Sequence, residues 1–576
     1  MSCLRRAFFQ PLRAVLLDGS RQDIEPVGWI VAALALAATL GTLPNGWTLD
    51  ASVDVLANRF VTGPISGLDE MLVNDYTAGS GFPSGFWRPL LLLAYWVLWR
   101  LGAGTPIAFF GTNVLLHLGV SLGVLRLARM LGGSLRAAGA ATMIFAVHPV
   151  HTDATAGVVV LKDLMAAAGF VSSLLLLLSA RTSSARRPIA RSVLGIAVFL
   201  AALLSKESAL SLIPCLLVLD LADLTIRKRS LSKPPRRTLI LLQYGGLLVA
   251  LGLKLGSQYL LLGSTFDVAI NPADNPLSLL SVLSRRVAAL ALIPLYARLL
   301  VWPSALAPDY SYDSIPLCRG FVESGALLGL LIALGALVAA VWALWKRERL
   351  LFAGLGILAA CYLLVSNLVV TLGTNAVERF AYLPSIGFCL VTGWLLGRRS
   401  VPRRIAWALV VVIVVAGLVR TEARNRDWRN PDTLWAATTK ALPRNIKAVF
   451  NASLHLARRG EGDQALLMLE RALDLDDPCK ITRPILEMNR PALRGRYGAV
   501  LSEIGRHEQA LEVLRDAIAA GPLDPGPRIH LARVLNRLGR RREALAELDA
   551  AGRLRLTSAD LHLIERERQL ASSAVE

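Results

Sequence analysis

Apolar runs alternate with short polar connectors over the first 420 residues, and the alternation predicts a bundle of membrane-spanning helices. Eleven runs stand out, at 27–43, 107–125, 137–147, 164–179, 193–204, 209–224, 239–262, 325–345, 350–372, 386–396 and 405–419. The connectors at 126–136, 181–191, 227–237, 346–349 and 398–404 are Arg-rich, and Arg5, Arg6, Arg13 and Arg21 precede the first run. The positive-inside rule places all five connectors and the N-terminus (1–26) in the cytoplasm. No small-residue cleavage site follows the first run, so it reads as a retained span.

This parity fixes the other connectors. The loop at 47–106 lies outside. Its apolar stretch Pro89–Leu101 is too short to cross and is expected to lie along the outer interface, with Trp87, Tyr95, Trp96 and Trp99 at headgroup level. The stretch 263–321 must also stay outside, so 287–302 is expected to dip in and return or to lie flat. Eleven crossings put the C-terminus outside.

After Arg420 the pattern becomes that of a soluble helical chain. Gly460, Gly505 and Gly539 are each followed five residues later by Ala465, Ala510 and Ala544, and seven further on by Ala472, Ala517 and Ala551. That spacing is the small-residue grammar of the 34-residue tetratricopeptide repeat. It predicts a connector at 421–445 and a repeat domain at 446–570, with repeats at 446–479, 491–524 and 525–558 and a capping helix at 558–570. The fold class is therefore all-α, a polytopic bundle of residues 27–420 followed by an α-solenoid.

Composition agrees: the 576 residues are 54% hydrophobic, with a mean hydropathy of +0.51. The net charge of +20 would suit nucleic acid, but the excess lies in loops between apolar runs, which assigns it to membrane orientation. The six cysteines form neither a CxxC pair nor a disulfide framework. Ala- and Arg-rich usage leans towards a bacterial inner membrane, with the outer face periplasmic, or lumenal if the source is eukaryotic.

The outer connectors carry the candidate chemistry. The first loop holds Asp50, Asp54, Asp69, Glu70 and Asp75, followed by Arg88. The later ones hold His148, His151 and Asp153; Lys162 and Asp163; Lys206 and Glu207; Asp309 and Asp313; and Glu378 and Arg379. Ionisable groups at a membrane boundary are costly, so a set converging on one face is a functional-site hypothesis. Cations suit a phosphate on a lipid carrier, whereas carboxylates suit a general base or a metal. Simpler readings stand beside these: Lys206-Glu207 and Glu378-Arg379 as solvated neighbours, Asp69 and Glu70 as loop surface, and His117 as a packed helix contact. His148 and His151 have metal-ligand spacing, but Pro149 points to a turn.

The segments FAVHPVHTDATAGVVVLKDLMA, SKES, ERFAYLPSIGFCL and RTEARNRDWRNPDTLW, followed by the repeats, resemble the transmembrane and tetratricopeptide-repeat protein O-mannosyltransferases. Those belong to the GT-C superfamily. The resemblance implies a membrane glycosyltransferase that moves a sugar, with mannose favoured, from a polyprenyl- or dolichyl-phosphate carrier to a protein hydroxyl on the outer face. The family's first loop carries an acidic pair, usually Asp-Asp. Asp50 matches the first position and Ala51 stands at the second, which leaves a divalent metal open; Asp75 and Arg88-Pro89 match later positions. On this reading Asp50 is the base, with Asp75 second, and Arg88, Lys206 and Arg379 offset charge on the departing phosphate. His148, His151, Asp153, Lys162, Asp163, Glu207 and Glu378 complete the substrate site. The repeats would hold the acceptor peptide, and membrane lipids are the remaining partners. The competing classes are a GT-C transferase acting on an envelope glycan or lipid, and a non-enzymatic membrane scaffold.

Overall fold

The computed structural model describes residues 24–81, 83–182, 187–226, 234–265, 270, 274–311, 314–315, 325–473, 483–554 and 558–572. Asp313 and the N-terminal Arg cluster lie outside them. Among the described residues every regular element is a helix.

Helices of nine residues or more, in order, are α1 (Ile24–Thr39), α2 (Pro89–Leu101), α3 (Ile107–Met130), α4 (Leu135–Val147), α5 (Leu161–Ala180), α6 (Pro188–Leu203), α7 (Leu212–Thr225), α8 (Pro234–Leu262), α9 (Val282–Leu290), α10 (Leu292–Val301), α11 (Ala326–Trp345), α12 (Arg349–Leu363), α13 (Tyr382–Gly397) and α14 (Arg403–Asp427). Eight of the segments they form are long and apolar enough to cross a membrane, and α4, α6 and α12 are shorter apolar helices. Each of the eleven apolar runs therefore coincides with a helix. Two boundaries differ by more than five residues. α12 stops at Leu363, because 364–377 turns back irregularly towards the loop that carries Glu378, whereas the run was expected to extend to 372. α14 continues two turns beyond 419 to Asp427, since TEARNRD contains no helix breaker. The 287–302 stretch forms the short helices α9 and α10.

The main core lies between α1, α3 to α7, α12, α13 and α14. Without water to drive association, such helices hold by close packing. α12 and α13 show how close: a Cβ on Gly387 would stand 2.3 Å from the Leu358 backbone nitrogen and 2.4 Å from the Gly354 carbonyl. Only glycine fits there.

The two ends of the bundle differ in chemistry. At one end Arg136 donates to the carbonyls of Gly397 and Arg398, Arg181 pairs with Asp220, and Arg349 pairs with Asp223 at 2.7 Å. The opposite ends of the same helices gather His148, Asp153, Lys162, Asp163, Lys206 and Arg379. α2 lies at this second end, its apolar side packed on Phe60, Phe109 and Leu161.

The connector at 421–445 is helical and docked. Trp428 is fully buried, and α15 (Pro431–Ala441) starts with a capping box from Asn430 and Thr433. The solenoid follows as α16 (Ile446–Arg458), α17 (Gly462–Leu473), α18 (Arg483–Glu503), α19 (His507–Ala520), α20 (Pro525–Arg537), α21 (Arg541–Gly552) and α22 (Ser558–Ser572). Gly460, Gly505 and Gly539 sit at φ +84°, +82° and +74°, the left-handed turn between the two helices of each repeat, where a side chain would be strained. Ala465, Ala510, Ala544, Ala517 and Ala551 are all buried where the helices meet. α18 begins at 483 rather than 491 and runs through Pro491, so part of the expected insertion is helical.

Candidate active site

The first loop is built around two differently used carboxylates. Asp75 is buried, and its carboxylate accepts four groups of its own loop: Thr77 N at 2.8 Å, Thr77 Oγ1 at 2.9 Å, Ser84 Oγ at 3.0 Å and Phe86 N at 2.8 Å. Its lone pairs are spent holding the loop closed, which distinguishes it from a free base. Asp50 lies on the exposed side of a turn; its backbone carbonyl starts the next helical turn, and its carboxylate takes no hydrogen bond among the described residues. Arg379 and Lys447 stand within coulombic reach of it. Of the two acids carried over from the family pattern, Asp50 is the exposed one.

Behind Asp50 lies a layer of paired charges. Lys162, at the start of α5, donates to Asp54 Oδ2 at 3.1 Å and to the Tyr76 hydroxyl at 3.3 Å. Burial pushes the Asp54 carboxyl up, against the pull of Lys162. Lys206 pairs with Asp163. Arg88, stacked on Phe86 and Tyr76, makes a two-nitrogen contact with Glu207 at 2.7 and 3.1 Å, and Lys254 reaches the other Glu207 oxygen at 3.2 Å. Asp153, fully buried, accepts the Arg379 backbone N–H at 2.8 Å and its guanidinium at 3.4 Å. The Arg379 side chain retains 19% exposure, the most among these cations.

The layer is crowded with positive charge. Burial pulls the Lys206 ammonium down to about 8; Asp163 opposes the shift, and Arg379, Lys162 and Arg88 add to it. An anion brought among these groups would relieve their repulsion.

The remaining expected residues serve the frame. His148 Nε2 meets the Leu300 carbonyl at 2.9 Å while Nδ1 accepts from Val150 N; burial pulls its pKa down to about 4. His151 Nε2 pairs with Ser385 Oγ at 2.8 Å, and burial likewise holds it well below its usual range. His117 is the packed contact expected, bonded to the Tyr382 hydroxyl and the Ala146 carbonyl. Neutral, buried and separately engaged, the histidines brace a turn. Glu378 accepts from Ala307 N and the Tyr310 hydroxyl and faces Arg424 at 3.9 Å, which ties the turn before α13 to α14. Glu70 pairs with Arg59 on the loop surface. Among the described residues no group of three His, Cys, Asp or Glu side chains is arranged to hold a metal.

Several participants were not singled out from the sequence. Asp54 was one acid among five until Lys162 met it. Lys254 is the instructive omission: a charge inside the apolar run LLVALGLKLGSQ announces a buried partner, here Glu207. Arg424 sat in a segment expected to be a soluble connector. Beside His148, an apolar cleft of about 470 Å³ opens between Trp302, Phe388 and Ile413.

A family model described as Protein O-mannosyl-transferase TMTC, DUF1736 matches residues 268–337, and a tetratricopeptide-repeat model matches 501–564. The chain is 28% identical to Protein O-mannosyl-transferase TMTC4 of Homo sapiens over 76% of its own length and 64% of that protein's. It is 30% identical to the Mus musculus TMTC4 protein, over 66% and 57%, and 29% identical to Drosophila melanogaster Tmtc3, over 67% and 48%. It thus spans less than two thirds of the length of these relatives. Among solved structures it is similar to an archaeal oligosaccharyltransferase, AglB from Archaeoglobus fulgidus, in complex with an inhibitory peptide and a dolichol-phosphate, at 14% identity and a TM-score of 0.42, covering 76% of this chain and 58% of that one. The apolar bundle, the ordered loop motifs, both family matches and these relatives agree: the chain belongs to the family of transmembrane and tetratricopeptide-repeat proteins whose curated members are named protein O-mannosyl-transferases.

Proposed function

We propose that the protein is a membrane glycosyltransferase that moves a sugar, mannose by the names of its relatives, from a polyprenyl or dolichyl phosphate to a protein hydroxyl on the outer face of its membrane. The observation that carries this reading is the pairing of one unengaged carboxylate, Asp50, with a buried layer of cations at the same end of an apolar bundle. Lipid phosphate and water-soluble acceptor can meet only at such a boundary. The apolar cleft beside His148, with Arg420 on its wall, would offer the carrier's hydrocarbon a place.

In this mechanism Asp50 accepts the proton of the acceptor hydroxyl while the oxygen attacks the anomeric carbon, with inversion. The bond from that carbon to the phosphate oxygen breaks, and its electron pair leaves with the lipid phosphate. Arg379, Lys206 and Arg88 offset the charge that builds there. Their carboxylate partners keep them ordered and charged until the donor arrives. The repeats hold the acceptor and raise its concentration at Asp50.

The test is transfer from labelled polyprenyl-phosphate mannose to a Ser/Thr peptide by purified protein. Asp50→Asn should lower kcat by about 10²–10⁴-fold, the usual worth of a general base, with folding intact. A loss of tenfold or less excludes Asp50 as the base. Transfer to glycan but never to peptide would overturn the acceptor assignment.

A further inference from the structure

The repeat domain does more than hang beside the loop. Leu49, the neighbour of Asp50, adopts φ +52°, left-handed and strained for a branched side chain. Its side chain bridges three small clusters. One is Ala51 of the first loop with Val159 and Val160 just before α5; the second is Ala156, Trp428 and Leu434; the third is Trp435, Ala448 and Ala452, where α16, the first repeat helix, packs on α15. The partial burial of that side chain offsets strain in its backbone.

A second contact comes from the same helix. Asn445 caps α16 and donates to the Asp309 carbonyl at 2.9 Å. Lys447, two residues on, pairs with Asp309 at 3.0 Å and Asp274 at 3.5 Å. Burial alone would push this ammonium down; Asp309, Asp274 and then Asp50 outweigh it and hold it above its ordinary value. Asp274 and Asp309 both lie in the segment 268–337 that the family model matches. Lys447 is thus a half-exposed cation held by two carboxylates, with Asp50 within electrostatic reach.

We infer that α16 is a working part of the catalytic loop, positioning the Asp50 carboxylate through Leu49 and balancing its charge through Lys447. This rests on the proposed role of Asp50 as base. It makes the first repeat necessary for chemistry and not only for capturing acceptor. A hydroxyl misplaced by about 1 Å from its base costs on the order of 10²-fold in rate, so loosening Leu49 or removing Lys447 should appear in kcat.

The test compares a long peptide with a short acceptor too small to reach the solenoid, using Lys447→Met, Lys447→Arg and Leu49→Ala in the full-length protein, each checked for its thermal midpoint. Lys447→Met and Leu49→Ala should lower kcat about 10- to 100-fold on both acceptors, with KM for the short one little changed, and Lys447→Arg should recover most of the loss. If either of the first two variants leaves the short-acceptor kcat intact and only raises KM for the long peptide, α16 merely holds acceptor and the inference fails. Should Lys447→Met not fold, the Leu49→Ala result decides alone. Wild-type protein that transfers no sugar at all would defeat the proposed function, a different outcome from active wild type with unaffected variants.

Discussion

Asp50 and Asp75 have the same chemistry and opposite surroundings, and exchanging each for a neutral residue should separate activity from stability. Asp75→Ala removes the acceptor of four hydrogen bonds, at 2.8–3.0 Å. Bonds to a charged group contribute about 1.5–3 kcal/mol each, but they do not add, and the two hydroxyls can turn to water. What cannot be replaced are the backbone N–H groups of Thr77 and Phe86, whose desolvation costs about 1–3 kcal/mol apiece when unpaired. Phe86 is only part-buried, so the expected loss is about 2–4 kcal/mol. Asp50→Ala, at an exposed carboxylate without a described hydrogen bond, should cost less than about 0.5 kcal/mol. Detergent-purified variants compared by intrinsic-fluorescence melting should show a lowered midpoint for Asp75→Ala and a wild-type midpoint for Asp50→Ala, and single-turnover sugar transfer should show the reverse order of kcat loss. An Asp75 variant that melts like wild type yet is a thousandfold slower, alongside an active Asp50 variant, would refute the assignment and make Asp75 the base.

Glu207 lies between Arg88 and Lys254, whose side chains are 6% and 2% exposed. Glu207→Gln should cost about 2–3 kcal/mol, below the 3–5 typical of a broken buried pair because Glu207 is itself 32% exposed, whereas Lys254→Met should cost under about 1 and the double variant should be more stable than Glu207→Gln alone; a double variant no better than Glu207→Gln denies the three-group contact. Lys206 carries its charge below about pH 8 and loses it above, so KM for the donor should rise as pH climbs from 8 to 9.5. Lys206→Arg, whose guanidinium does not titrate there, should flatten that rise, and a wild-type KM unchanged across the range would remove Lys206 from the phosphate site.

The fold was legible because the membrane and the repeat each impose a period. Hydrocarbon demands runs of about 20 apolar residues, and the solenoid demands a left-handed glycine and two buried alanines at set distances. Even the short α4 and α6 were found, since parity of the basic connectors required a crossing there. Boundaries failed where the determinant was a distant contact: α12 stops at Leu363 because 364–377 turns back towards the loop that carries Glu378. The candidate site was legible as a set of charged residues but not as a geometry. Sequence placed Asp75 beside Asp50 as a rival acid, and only the closed loop shows its oxygens occupied. Nothing local to NIKAVFNASL marks Lys447 as a neighbour of residues 274 and 309, because that meeting depends on how the connector docks.

The passage of α14 straight from the bundle into the docked connector has a consequence for how an acceptor is chosen. A solenoid on a slack linker would sweep a volume and let any hydroxyl within its leash reach the base. Here the joint is a continuous helix followed by a buried tryptophan, and Asn445 and Lys447 tie the first repeat helix to Asp309, so no slack linker separates the repeats from the proposed base. An acceptor gripped by the solenoid would then be marked at a fixed number of residues from the grip, as by a ruler. Sites along one substrate should fall in register with the segment recognised, with no dependence on which serine or threonine is most exposed.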